Sequence, residues 1–156
     1  MTPAPSIIHQ KAAQKLFKRL SGYIEDAGLG EVFIAPVDVE LAPNVIVQPD
    51  IIVVLNAGLE KITATRIVGA PDLVVEAASP STALYDRLSK YEAYEQAEIP
   101  EYWIVHPQAK SIELLVLEQD GYQSCGIFKG QETLPSRIAP GISDIPVEQF
   151  FFHEPK

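Results

Sequence analysis

The chain has 156 residues, 47% hydrophobic and 21% charged, with 12 Lys and Arg against 21 Asp and Glu and a net charge of −9. These proportions exclude a disordered chain and describe one globular domain over 1–156, while the acid excess excludes nonspecific wrapping of nucleic acid by a basic surface. The longest apolar run, Ile51 to Leu55, is far short of the ~20 residues of a membrane helix, and the lone Cys125 excludes a disulfide framework and a Cys-rich zinc site. With no apolar stretch and cleavage site at the N-terminus, a soluble cytoplasmic protein is expected.

In chain order, Ile8, Ala12, Leu16, Leu20 and Ile24 keep helical spacing, with Ser6 placed to cap the helix and Gly28 and Gly30 to end it. Lys11, Lys15, Lys18 and Arg19 recur along the same helix, as a solvated face or as a phosphate-facing stripe. Glu31 to Leu41 reads as an extended pair interrupted at Pro36, followed by a turn at Ala42-Pro43-Asn44. Gln48 to Leu55 is apolar on both faces after Asp50, as in a strand covered on both sides. Asn56 to Gly69 is a loop with a short element, and Asp72 to Ala78 a second two-sided strand. Ser81 or Thr82 then caps a helix running to about Ala97.

The last third changes period. Glu101 to His106 and Ile112 to Glu118 read as strands, and Asp120-Gly121 is a hairpin signal that folds Tyr122 to Phe128 back onto them. Pro135 to Lys156 is irregular, with Val147 to Phe152 tucking aromatic weight onto the body or offering a dimer contact. Cys125 is expected as a small buried side chain, and Trp103 as core rather than as a base-stacking platform. The whole is an α/β (α+β) arrangement, a mixed sheet flanked by helices.

Two apolar strands each contain an acid, Asp50 and Glu76. Such an acid either sits at a strand end within reach of water or needs a partner or a cation. On neighbouring strands, the pair would form the oxygen-rich arrangement that Mg²⁺ prefers. The following helix carries Asp86 and Lys90 at i, i+4, a surface pair or, given Tyr91 and Tyr94 beside the lysine, a cation delivered to the acids. The three histidines are far apart and lack zinc-ligand spacing, and neither a serine nucleophile elbow nor a Gly-rich phosphate loop is present.

Pro49-Asp50, Asp72-Leu73-Val74-Val75-Glu76-Ala77-Ala78-Ser79-Pro80-Ser81-Thr82, Tyr85-Asp86, Lys90, Tyr94 and Glu101-Tyr102-Trp103-Ile104-Val105 together resemble the Uma-two family of restriction endonucleases, a branch of the PD-(D/E)XK nucleases. The resemblance extends from about Pro5 to Pro140-Gly141-Ile142-Ser143. It implies a restriction-endonuclease-like core and a phosphodiesterase site using Mg²⁺ or Mn²⁺, with DNA as substrate. Asp50 and Glu76 match the metal-binding acids, with a backbone carbonyl near Ala78 completing the shell. Ala78 stands two residues after Glu76 and cannot act as the parent pattern's lysine, a role that Lys90 on the next helix matches. His9 matches a histidine of the family's first helix, or is simply a polar helix residue; Asp38 is a further acid near the metal or a solvent-facing residue.

Two departures stand out. The chain begins almost at the His9 segment, without the extra N-terminal extended element of many members, and Val105-His106-Pro107 replaces the family's Val-Asp-Pro. The reading is therefore a Mg²⁺-dependent endonuclease acting through Asp50, Glu76 and Lys90, in a homodimer and without membrane attachment. The alternative is a homodimeric interaction module that keeps the nuclease fold and has lost catalysis.

Overall fold

A computed structural model describes residues 6–78 and 84–155, with the side chains of residues 84–86 left aside. The first helix, α1 (Ile7–Ile24), begins where the Ser6 hydroxyl accepts the His9 N–H. Ala12, Leu16, Leu20 and Ile24 form its buried stripe, one residue per turn at i, i+4 spacing. Gly28, at φ +73°, supplies the left-handed residue that turns the chain away from the helix.

Among the described residues, nine strands follow in two sheets. The large one has the order β1 (Gly30–Ile34), β4 (Ile51–Leu55), β6 (Leu73–Ala77), β7 (Glu101–His106), β8 (Ser111–Glu118), β9 (Gly121–Lys129). β6 and β7 are parallel and the other neighbours antiparallel. A parallel pair needs a crossover, and α2 (Leu84–Gln96) is that crossover. β2 (Val39–Ala42), β3 (Val45–Val47) and β5 (Ile67–Val68) make the small second sheet. The hairpin between β2 and β3 turns at Pro43-Asn44, with Asn44 at φ +67°.

The large sheet is covered on both faces, and strand alternation sorts its side chains. Ile51, Val53, Leu73, Val75, Trp103 and Val105 point to one face, where α1 and the C-terminal segment with Phe150 and Phe151 pack on them. Val74, Tyr102 and Leu115 point to the other, under Tyr94 of α2, and Ile52 and Val54 meet Val39 and Ile67 of the small sheet. Coverage on both faces explains why β4 and β6 read as unbroken apolar runs.

Trp103 and the C-terminal aromatics are therefore core, as expected, and Trp103 offers no face to a base. Its neighbour Glu101 is 1% exposed. That carboxylate accepts Trp103 Nε1–H at 2.9 Å and the Ser136 hydroxyl at 2.8 Å on one oxygen, and the Arg137 and Ile138 N–H groups on the other. Four donors on one buried acid dock the irregular tail against β7.

Three local expectations are corrected or refined. Cys125 is exposed. In the β8–β9 register Leu115 pairs with Ser124 and Leu114 with Gly126, so Cys125 is the extra residue of a bulge and is turned out of the alternation. The hairpin turn falls on Gln119-Asp120, with Gly121 already paired to Glu118. Lys15 leaves the basic stripe of α1 and donates to the Phe151 carbonyl at 2.9 Å, so this lysine is a fastener for the tail. The expected cap at Ser81 or Thr82 lies outside the described residues.

Candidate active site

The two acids sit at the same end of adjacent strands. Ile51 pairs with Val75 at the end of the antiparallel β4–β6 ladder, and Asp50 and Glu76 are the next residues outward from that pair. By strand alternation Glu76 shares the α2 face with Val74, while Asp50, just outside the ladder, lines the recess beside the start of α1. Pro49, with no N–H to give, precedes Asp50 just before β4 begins and leaves the acid at the mouth of the strand.

Asp50 is half-buried and its Oδ2 accepts the Ala77 N–H at 2.7 Å. This bond reaches past Glu76 and holds the Asp50 carboxylate against the end of β6. Glu76 is 6% exposed. Its Oε1 lies 3.4 Å from Lys90 Nζ, and its Oε2 accepts the hydroxyl of Tyr94. Lys90 and Tyr94 are one turn apart on α2, so a single helix face supplies both donors.

Burial pushes the Glu76 carboxyl up to about 7, against the pull of the Lys90 charge and the Tyr94 hydrogen bond; the nearby Asp50 charge pushes the same way as burial. Tyr94 is held far above the ordinary phenol range, first by burial and then by the Glu76 charge, and stays a hydrogen-bond donor.

Two recesses open at this end of the sheet. The smaller, about 20 Å³, is lined by Glu76, Ala77, Ala78, Arg87, Lys90, Tyr102 and Ile104, and has room for one water or one small ion. The larger, about 630 Å³, lies between the start of α1 and the end of β1, with Asp50 and His9 on its wall. His9 Nε2 is 3.1 Å from the Ala77 carbonyl oxygen, so α1 also reaches the end of β6.

The donor set is all oxygen: two carboxylates and the strand-end carbonyls. Among the described residues no group of three or more His, Cys, Asp or Glu is disposed to hold a metal. Mg²⁺ binds through one or two carboxylates and keeps several waters, so two acids beside a small recess suit it, whereas the three or four protein ligands of a zinc site are not assembled among the described residues.

Of the residues singled out in the sequence, Glu76, Lys90 and Ala78 line the smaller recess, Ala78 with its own N–H bonded to the Val105 carbonyl, and Asp50 reaches its edge through the Ala77 N–H. Asp38 lies before β2 and accepts from Gln48 at 2.7 Å, a contact within the small sheet's surroundings. His106, where the family carries an acid, ends β7 and is held below the ordinary imidazole range by burial and then by the charge of Arg87. The side chain of Asp86 lies outside the described residues. Sequence reasoning missed the bond from Tyr94 to Glu76; its signal was the i, i+4 spacing of Lys90 and Tyr94.

A family model, Uma2, described as "Putative restriction endonuclease", matches residues 1–148. Among solved structures, the fold is similar to that of a "putative nuclease belonging to DUF820" from Anabaena variabilis ATCC 29413. The TM-score is 0.78 at 14% identity, covering 97% of this chain and 84% of the other. Comparison with curated proteins gives no match.

Proposed function

The chain belongs to the Uma2 family, and from that premise we propose that it is a divalent-metal-dependent endonuclease hydrolysing phosphodiester bonds of DNA. The observation that carries the proposal is that the Asp50 carboxylate accepts the N–H of Ala77, the residue after Glu76, while the Lys90 ammonium lies 3.4 Å from Glu76 Oε1. Asp50 and Glu76 would hold Mg²⁺ or Mn²⁺, with a carbonyl near Ala78 completing the set. A cation bound there supplies Lewis acidity at the phosphate and makes water a better nucleophile at neutral pH.

The chain's own groups do the rest. The Ala77 N–H keeps the Asp50 carboxylate aimed at the strand ends. Lys90 stands where an ammonium orients the attacking water or offsets charge growing on the phosphate oxygens in the transition state. Arg87 lines the same recess and extends its positive side. An overall charge of −9 makes this local pair of cations, rather than the surface at large, the attraction for a phosphodiester.

A second reading, a non-catalytic homodimeric module of the nuclease fold, draws on one observation: both oxygens of Glu76 already have protein donors. Titrating Mn²⁺ and assaying cleavage of a mixed nucleic-acid substrate separates the two. Saturable binding and cleavage, both lost in Asp50→Asn and Glu76→Gln, are expected; equal behaviour of wild type and both variants rejects the nuclease assignment.

None of the helices among the described residues is long and apolar enough to cross a membrane. The proposal places the enzyme in the cytoplasm, as a homodimer, where its substrate lies.

A further inference from the structure

We infer that Tyr94 is a positioning residue whose hydroxyl commits Glu76 Oε2, so that the carboxylate offers a cation a single oxygen, Oε1. This rests on the reading of Asp50 and Glu76 as metal ligands and deepens it. The consequence is a preference for a small octahedral ion such as Mn²⁺ or Mg²⁺ over Ca²⁺.

The phenol is well placed for the task because it has nowhere to go. Tyr94 is fully buried, and its ring meets Tyr102 edge-on at 5.0 Å between centroids, with an interplanar angle of 82°. Tyr102 in turn leans on Tyr122 at 6.0 Å, and the Tyr122 hydroxyl is tied to the Ile99 carbonyl at 2.7 Å. A tyrosine has two side-chain torsions, and a packed ring fixes both, so the hydroxyl is delivered to one point in space.

A glutamate carboxylate is otherwise free to swivel about its last bond. The two oxygens of Glu76 are held unequally: Oε2 by this rigid phenol, and Oε1 by the Lys90 ammonium at 3.4 Å, a longer contact from a flexible stem. Oε1, held by the more flexible of the two donors, is thus the oxygen that a cation would share with Lys90. Ca²⁺ takes 6–8 oxygens and often chelates a carboxylate through both, whereas Mg²⁺ accepts one oxygen from each of one or two carboxylates in an octahedral shell. A carboxylate with one oxygen already committed is a poor chelator and an adequate single ligand.

The test is calorimetric titration of Mn²⁺, and separately of Ca²⁺, into the full chain as wild type, Tyr94→Phe, Asp50→Asn and the double variant Tyr94→Phe with Glu76→Gln. Tyr94→Phe should lose about tenfold in Mn²⁺ affinity, the low end of the ~10–100-fold effect of removing a ligand's supporting hydrogen bond. Its Ca²⁺ affinity should hold or rise as Glu76 is released to turn, so the ratio of the two affinities falls about tenfold or more. The double variant, which lacks the Glu76 carboxylate, should bind neither ion saturably.

An unchanged Tyr94→Phe variant overturns the inference, and so does an equal loss for both ions, the signature of a merely structural tyrosine. Saturable binding of either ion by the double variant overturns it as well, since Glu76 is then not the ligand that Tyr94 positions. If Asp50→Asn binds Mn²⁺ like the wild type, the metal site itself is wrong and the inference falls with it.

Discussion

The Asp50 carboxylate accepts the amide N–H of Ala77 at 2.7 Å, joining residues 27 apart in the chain. One proposed metal ligand thereby stabilises the strand that carries the other. Function and stability overlap at this bond, and substitutions at Asp50 should be read with that in mind.

Asp50→Ala removes the acceptor and leaves the Ala77 N–H without its partner in a partly buried setting. The expected cost is ~1–2 kcal/mol, that of one charge-assisted hydrogen bond. Asp50→Asn keeps an oxygen in place and should cost less than half as much. Urea denaturation of the two variants beside the wild type checks the ranking, and equal stabilities would show that the bond contributes nothing.

Glu76 makes stability fall as pH rises. Its folded value of about 7 lies above the ordinary 4.5, so between these limits the folded chain binds more protons than the unfolded one. Its favourable contribution is fully present below 4.5 and is lost as pH passes through about 7. Summed over that window the loss is on the order of 3 kcal/mol. Glu76→Gln removes this slope. Denaturation midpoints measured from pH 4.5 to 8 should show wild type and variant diverging across the window; parallel profiles would refute the burial-driven shift.

Glu101 should behave as a purely structural acid. Its two oxygens accept four donors, from Trp103, Ser136, Arg137 and Ile138. Glu101→Gln puts an amide N–H₂ among them, so at least one buried donor loses its acceptor, at ~2–4 kcal/mol. The Mn²⁺ affinity of the folded fraction should not change. A calorimetric titration below the melting temperature checks this, and lost affinity with intact stability would move Glu101 into the site.

The sequence was most informative where pattern and geometry have the same period. Ala12 to Ile24 repeats every four residues because one helix face meets one sheet, and β4 and β6 are unbroken apolar runs because both their faces are covered. An acid at the edge of each run therefore marked Asp50 and Glu76 without coordinates. Cys125 was misjudged because a bulge breaks the period of two, and no residue near it announces the extra step. Lys15 was grouped with its helix neighbours because spacing along α1 says nothing of the Phe151 carbonyl 136 residues away.

Local order along the chain was thus enough to determine the main elements and the fold class, and to single out the two acids as candidates, since burial of each element's apolar face is written in the spacing of its own residues. What only the tertiary structure decided is which groups meet: that Asp50 caps the N–H after Glu76, that Lys90 and Tyr94 each take one Glu76 oxygen, and that Glu101 fastens the tail. Strand register and the path of a crossover helix arise from packing among distant segments, and hydrogen bonds at 3 Å depend on that packing to a fraction of an ångström.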